Sequence, residues 1–430
     1  MVMSSGPVSA DHSLQHKLEQ ATTALTDEVV ALRRYFHEFP ELSNEEFKTA
    51  ARITEELKAM GLDPQVGIAG TGVVALIEGG KPGPLVALRA DMDGLPVVEQ
   101  VDLPFASKQK STYLGNEVGV MHACGHDTHM AMVLGAAKAL AANREDLPGD
   151  VLVIFQPAEE GAPPGTPSWG AKLMLEEGVF EPRKPEAIFG LHTFSNLPAG
   201  HVAYRSGPAL ASADRFEIIV NGKQTHGSRP WGGVDPIVVA AQIIMAVQTI
   251  ASRQVDVTKA PSVISFGIVD GGVRNNIIPD SVKLVGTIRN FDMGIREEIH
   301  AKLRHTATTI AEASGATAEV TVSLGYPVTV NNPDLTAKML PTVQRVFGDE
   351  RVFEAPLVTG AEDFSYFALE TPGFFLFLGG APLDADVSKT ASNHSPFFYV
   401  DESTLPYGVS VLAQMVADYL TSTTETATGD

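Results

Sequence analysis

The chain is nearly devoid of cysteine: of 430 residues, only Cys124 is one. No internal disulfide framework can form, so the fold must rest on its core. Basic residues are also short, with 31 Lys and Arg against 52 Asp and Glu, a net charge of −21. Such a surface repels phosphate backbones and anionic lipid, which argues against nucleic-acid and membrane partners. Long apolar runs are lacking too. The most apolar stretch, Ile237 to Ile250, is interrupted by Gln242 and Gln248, short of the roughly 18 residues that span a bilayer. Met1 to His12 has neither a basic n-region nor an apolar h-region. No signal peptide is therefore expected, and a cytoplasmic setting is. There is no Gly-x-Ser-x-Gly; Thr359-Gly360-Ala361-Glu362-Asp363 is the nearest look-alike. A serine hydrolase built on a nucleophile elbow is thereby set aside.

What is present is a globular composition, 44% apolar and 19% charged. The length predicts two or three domains. Leu14, Leu18, Leu25, Val29, Val30 and Leu32 recur at helical spacing, which predicts a helix over Asp11 to His37. Ser43-Asn44-Glu45-Glu46 reads as a capping box opening a second helix that stops at Gly61. Continuous apolar strands at Val73 to Ile77, Leu85 to Leu88, Val151 to Phe155 and Ala187 to Leu191 alternate with helices over Thr128 to Ala142 and Lys172 to Glu177. That alternation predicts an α/β layer with a mostly parallel sheet.

After about Gly200 the pattern changes to β-α-β-β-α-β: Arg215–Val220, Asp235–Ser252, Val263–Val269, Ser281–Arg289, Gly294–Ala313 and Thr317–Val322. This is the ferredoxin-like order. α/β character then resumes, with helices over Asp334 to Phe347 and Glu402 to Leu420 around a strand, Phe374 to Leu378. The expected layout is an α/β catalytic domain (11–199 and 326–420) interrupted by a ferredoxin-like α+β domain (200–325), with a frayed tail at 421–430.

The chemistry-bearing residues gather at predicted strand ends. Arg89-Ala90-Asp91-Met92-Asp93 closes one strand, Gln156-Pro157-Ala158-Glu159-Glu160-Gly161 the next, and Gly190-Leu191-His192 a third. Met121-His122-Ala123-Cys124-Gly125-His126-Asp127 precedes a helix, and Asn393-His394-Ser395 lies late in the chain. In open α/β sheets the carboxyl ends of strands form the ligand crevice. Taken singly, each residue has an ordinary structural explanation. Taken together, Cys124, His126, Glu160, His192 and His394 offer five ligands of mixed N, O and S type. That exceeds the three protein ligands of a single catalytic zinc, and a thiolate can bridge two ions. Two divalent ions are thus expected, with zinc, manganese, cobalt and nickel all compatible. Adjacent Glu159 and Glu160 could separate a general base from a ligand. Asp91 or Asp127 could orient a ligating histidine.

The series Leu88 to Pro96, His122 to Asp127, Gln156 to Gly161, Gly190 to His192 and Asn393 to Ser395 resembles the aminoacylase-type amidohydrolases. These are the relatives of hippurate hydrolase, indole-acetyl-amino-acid hydrolase and the glutamate carboxypeptidases. The opening segment, Arg33-Arg34 to Ser43, is similar as well, and the motifs run in order from about residue 30 to 415. The resemblance implies a metallopeptidase-like catalytic domain with an inserted ferredoxin-like domain that often dimerises. It implies Glu159 as the general base, with Cys124, His126, Glu160, His192 and His394 as metal ligands. It implies His226 as the group that stabilises the oxyanion, and Asn276 and Arg289 as contacts to a substrate carboxylate. The expected substrate is an N-acyl or N-aroyl amino acid, or a small peptide with a free C-terminus. A carboxypeptidase or aminopeptidase of short peptides is the alternative, and a homodimer is the expected assembly. Relatives commonly carry a second histidine where this chain has Trp231. The segment Ala162 to Trp169, with Pro163, Pro164 and Pro167, is longer than usual. Both differences bear on specificity.

Overall fold

A computed structural model describes residues 10–162 and 166–427 of the chain. Along it run α1 (Ala10–Ala24), α2 (Thr26–Glu38), α3 (Phe47–Ala59), β1 (Gln65–Ile68), β2 (Gly72–Ile77), β3 (Lys81–Asp91), α4 (His126–Ala142), β4 (Pro148–Gln156), α5 (Gly170–Glu176), β5 (Ala187–Pro198) and β6 (Val202–Tyr204). The middle of the chain carries β7 (Ser212–Asn221), β8 (Thr225–His226), α6 (Pro236–Thr249), β9 (Ser262–Asp270), β10 (Ile277–Ile278), β11 (Ser281–Asn290), α7 (Met293–Ala313) and β12 (Thr317–Leu324). It closes with α8 (Pro333–Phe347), β13 (Val352–Glu354), β14 (Gly373–Ala381) and α9 (Leu405–Ala427).

These elements divide into two compact units. Unit 1 is Met1–Gly207, Asn331–Ala355 and Tyr366–Asp430; unit 2 is Pro208–Val330 and Pro356–Ser365. Unit 2 therefore starts later than residue 200 and takes back a ten-residue piece beyond residue 325.

Unit 1 is built on an eight-stranded sheet in the order β1-β2-β4-β3-β5-β14-β6-β13. Its centre, β4-β3-β5-β14, is parallel. The flanks β1-β2-β4 and β14-β6 are antiparallel, which makes the sheet mixed. The central strands are buried over most of their length, as continuous apolar runs require. α4 and α9 lie against β3. Nearly every residue of α4 from His126 to Leu140 is buried, so its first turn is anchored in the core.

Three local expectations give way. The single helix over Asp11 to His37 is two, broken at Leu25 between α1 and α2. The box at Ser43 does not cap α3. Glu41 does, its Oε2 accepting from the Lys48 and Thr49 amides at 2.8 and 2.9 Å, while Ser43 turns to Asp93. The last helix continues to Ala427 instead of fraying at 421. Pro163 and Pro164 lie outside the described residues, as do Met1 to Ser9.

Unit 2 carries an antiparallel sheet in the order β9-β11-β7-β12. With helices α6 and α7 between its strands, that is the ferredoxin-like topology. Buried Asp214 on β7 fastens α7 to the sheet by accepting from Arg296 Nε and His300 Nε2, both at 2.8 Å. α6 continues through a π turn to Gln254, and the combined helix is long and apolar enough to cross a membrane by length and composition. The helix agrees with the expected Asp235 to Ser252, and its span is long and apolar enough even with Gln242 and Gln248 inside it, against the sequence expectation. Its Val239, Ile243, Val247 and Ile250 pack in the core of unit 2 with Phe216, Ile218 and Leu284 of the sheet. Ile237, Val238 and Met245 remain exposed.

Candidate metal centre

Unit 1 brings Cys124, His126, Glu160, His192 and His394 together at the carboxyl ends of its central strands. Each arrives for a local reason. Gly125, at φ +94°, caps α4 in the left-handed conformation that glycine adopts freely. Cys124 and His126 thereby stand on either side of one turn. β4 ends at Gln156, and Ala158, at φ +53°, turns the chain so that Glu159 and Glu160 face the cluster. β5 carries His192, and His394 sits at φ +71° in a loop tied down by its amide to the Ala123 carbonyl at 2.8 Å. Two non-glycine residues in the left-handed region at one site mark backbone held against its preference.

The distances describe one cluster around a sulfur. Cys124 Sγ lies 3.3 Å from His192 Nε2 and 3.2 Å from His394 Nε2. His394 Nε2 lies 2.9 Å from Glu160 Oε1. His126 Nε2 lies 3.9 Å from Glu159 Oε2 and 3.8 Å from Asp91 Oδ2. Two triads share Cys124, one with His126 and His192, the other with Glu160 and His394. Within each triad the ligand atoms are all within 4.8 Å of one another.

The residues fit a pair of cations. Two bonds of about 2.0–2.3 Å to one ion place their donors about 3–4 Å apart, the spacing seen here. His126 Nε2 is buried with no hydrogen-bond partner, while its Nδ1 lies 2.9 Å from the Asp93 carbonyl oxygen. That contact fixes the ring with its free nitrogen toward the cluster. Burial, then the Glu160 and Glu159 carboxylates, push the Cys124 thiol well above its usual range. A thiolate forms there only beside a positive charge. Burial alone would lower His126, but Asp91 and Asp93 outweigh it and raise its pKa to about 10. The cluster is one in which anions need a cation.

Neither aspartate orients a ligating histidine; the Asp93 carbonyl oxygen does that for His126. Asp91 accepts from Arg89 Nη1 at 2.8 Å, and its Oδ1 lies 2.6 Å from His129 Nδ1. Asp127 pairs at 3.0 Å with Arg33 Nε and at 2.8 Å with His37 Nδ1, and His37 Nε2 lies 3.0 Å from Glu99. Sequence reasoning missed His129, His37 and Arg33. His129 lies within 4.8 Å of His126 and Asp91, yet both its nitrogens are used. Its Nε2 accepts from the Thr193 amide at 2.8 Å, so Nδ1 is the nitrogen that donates to Asp91. Its i,i+3 spacing from His126 on α4 was the available signal. Asn393 donates to the Thr193 and Cys124 carbonyls at 3.0 and 3.2 Å, stitching the His394 loop to the cluster.

Unit 2 holds the remaining three predicted residues. His226 on β8 pairs with Ile277 on β10, and the Gly227 amide bonds the Asn276 carbonyl at 2.8 Å. Asn276 thus lies in the turn that leads into the small sheet carrying His226. His226 Nδ1 accepts from the Ser228 amide at 3.0 Å, which leaves its Nε2 as the protonated, donating nitrogen of the neutral ring. Asn276 Oδ1 is buried with no partner among the described residues. Arg289, near the end of β11, is half-buried, and its guanidinium has no hydrogen bond or ion pair among the described residues. Trp231 is 77% exposed in a short turn.

Comparison with known proteins places this geometry. The chain is 40% identical to thermostable carboxypeptidase 1 of Saccharolobus solfataricus, over 94% of this chain and 99% of that one. It is 39% identical to IAA-amino acid hydrolase ILR1-like 2 of Arabidopsis thaliana, covering 97% and 92%, and 36% identical to N-acetyl-L-cysteine deacetylase of Bacillus subtilis, covering 89% and 86%. Among solved structures, the YXEP protein of Bacillus subtilis, described as a dinuclear metal binding peptidase, superposes with a TM-score of 0.76 at 34% identity. The match covers 93% of this chain and 99% of that one. A tripeptidase of Staphylococcus aureus, at 17% identity and a TM-score of 0.68 over 91% and 98% of the two chains, shares the fold. Residues 87–418 match peptidase family M20/M25/M40, and the chain belongs to that family.

Proposed function

We propose that this protein is a two-metal amidohydrolase that cleaves the amide of N-acyl or N-aroyl amino acids. The observation that carries the reading is the Cys124 sulfur shared by two donor triads beside Glu159. Cys124, His126, Glu160, His192 and His394 hold the ions. When bound, a pair of divalent ions supplies Lewis acidity and brings the pKa of water toward neutrality. Glu159 takes the proton from the attacking water and returns it to the leaving amine. His226 donates from Nε2 to the developing oxyanion. Asn276 and Arg289 grip the substrate carboxylate, the guanidinium by its two-pronged face. The free Nε2 donor of His226 and the unpaired state of Arg289 support these assignments.

The similar proteins named above support the substrate class. A carboxypeptidase, an IAA-amino acid hydrolase and an N-acetyl-cysteine deacetylase all cut an amide whose amine side is an amino acid bearing a free carboxylate. A carboxypeptidase acting on short peptides is the second reading, favoured by the first of these relatives. We further propose a homodimer in the cytoplasm. Two exposed apolar surfaces of unit 2 support self-association: Val238 and Met245 on α6, and Ile268 and Val269 on the edge strand β9. A lone thiol placed as a ligand suits a reducing compartment.

The test is metal content of protein purified without chelator, paired with turnover of N-acetyl- and N-benzoyl-amino acids. Two ions per chain, activity lost on chelation and restored by metal, and a Glu159→Gln variant that keeps its metal but loses turnover are expected. Activity retained in Glu159→Gln would overturn the base assignment.

A further inference from the structure

The Ala158–Glu159–Glu160 turn is held by a device that the family motifs do not point to. Three successive amides donate to two buried carboxyl groups from distant parts of the chain. The Glu159 and Glu160 amides each donate to Asp93, at 3.0 Å. The Ala158 amide donates at 2.9 Å to Glu46 Oε1. Glu46 is 0% exposed and accepts from Thr71 Oγ1 at 2.6 Å through its other oxygen. Both Glu46 oxygens are thus committed, and the direction of the group is fixed.

Ala158 is the pivot of the turn. It sits at φ +53°, a conformation that an alanine does not adopt unaided. The side chain of the next residue, Glu159, leaves the backbone in a direction set by that pivot. Asp93 also contacts His126 Nδ1, through its carbonyl oxygen at 2.9 Å and its Oδ1 at 3.3 Å, so a change at Asp93 reaches a metal ligand. Among the described residues the Glu46 carboxyl bonds the Ala158 amide, the Thr71 hydroxyl and its own amide, none of them from a ligand.

We propose that Glu46 is a positioning residue for the general base: by accepting the Ala158 amide it holds the left-handed pivot that aims the Glu159 carboxylate. This rests on the two-metal amidohydrolase reading. Displacing a catalytic group by about 1 Å can cost about 100-fold in rate, and the loss falls on kcat, because Glu46 reaches neither substrate nor ions.

The experiment compares kcat, KM and bound metal for wild type, Glu159→Gln, Glu46→Gln and Glu46→Met, on N-acetyl-amino acids with the holoenzyme. Methionine keeps the volume and removes the acceptor; glutamine keeps an amide oxygen for Ala158. Glu46→Met is expected to lose about 100-fold in kcat, with KM within about twofold and metal content unchanged. Glu46→Gln is expected to stay within about fivefold of wild type. If Glu46→Met does not fold, Glu46→Asp, which draws the acceptor back by one methylene, is read by the same criteria. The proposal is overturned if the acceptor-deficient variant keeps kcat within about threefold, if glutamine fails to rescue, or if metal is lost in step with kcat. Turnover retained in Glu159→Gln would instead overturn the function reading. Loss in Glu159→Gln with full activity in Glu46→Met would overturn the positioning role alone.

Discussion

Asp93→Asn tests whether the second carboxylate of the turn stabilises the fold as its bonds require. Asp93 Oδ2 accepts from Ser43 Oγ at 2.7 Å and the Glu160 amide at 3.0 Å; Oδ1 accepts from the Glu159 amide at 3.0 Å. An asparagine can keep its oxygen at one of these positions only. With the oxygen in the Oδ2 place, the side-chain NH2 confronts the Glu159 amide, donor against donor. The orphaned buried N–H costs about 2 kcal/mol, and the two surviving bonds lose about 1 kcal/mol each on passing from a charged to a neutral acceptor. The sum is about 4 kcal/mol, a large share of the 5–15 kcal/mol that holds ordinary domains together. His126 Nδ1 keeps the Asp93 carbonyl oxygen at 2.9 Å but its 3.3 Å contact with Asp93 Oδ1 is altered, so bound metal is measured alongside. Urea unfolding followed by circular dichroism reads the change as a midpoint shift multiplied by the m-value, with m itself unchanged. A loss under about 1 kcal/mol would refute the reasoning, because it would mean that water satisfies the Glu159 amide in the variant.

Three further outcomes are expected. His37 lies between Asp127 and Glu99; burial alone would lower its pKa, but the Asp127 charge and both hydrogen bonds outweigh that and raise it above 6.5. Its contribution to stability is therefore complete below about pH 6.5 and is lost as pH rises through the folded-state value; wild type should lose stability relative to His37→Gln as pH is raised above about 6.5, and parallel curves would contradict this. Arg289→Met should raise KM for N-acyl amino acids by about 10- to 100-fold, with little effect on their carboxamide analogues; equal loss on both would refute the carboxylate grip. Val238→Glu combined with Met245→Glu should leave the circular dichroism spectrum unchanged and halve the mass measured by light scattering; an unaltered dimer would place the interface elsewhere.

The alternation of apolar strands and helices, the β-α-β-β-α-β run and the five potential ligands were legible in the chain. Each is a short-range pattern: apolar runs of strand length, periodic helices, and motifs whose members lie within a few residues. Two central strand ends were identifiable too, β3 at Asp91 and β4 at Gln156, where the buried run gives way to a polar segment; β5 instead runs past His192 to Pro198. The edge strands β1 and β13 left no such trace, since three or four largely exposed residues carry no periodicity.

What only the tertiary structure decided is which partner each polar group takes. Glu41, not Ser43, caps α3, because Asp93, fifty residues further on, claims the Ser43 hydroxyl. His129 and Asp127 look like metal-site residues by spacing, yet Asp91 with the Thr193 amide, and Arg33 with His37, satisfy them. Glu46 looks like a helix-start carboxylate and is instead buried against Ala158. The physical reason is the same throughout. Burial makes an unpaired polar group costly, so each one binds whichever complement the fold brings within 3 Å. That choice depends on contacts 25 to 112 residues apart, which local sequence does not encode.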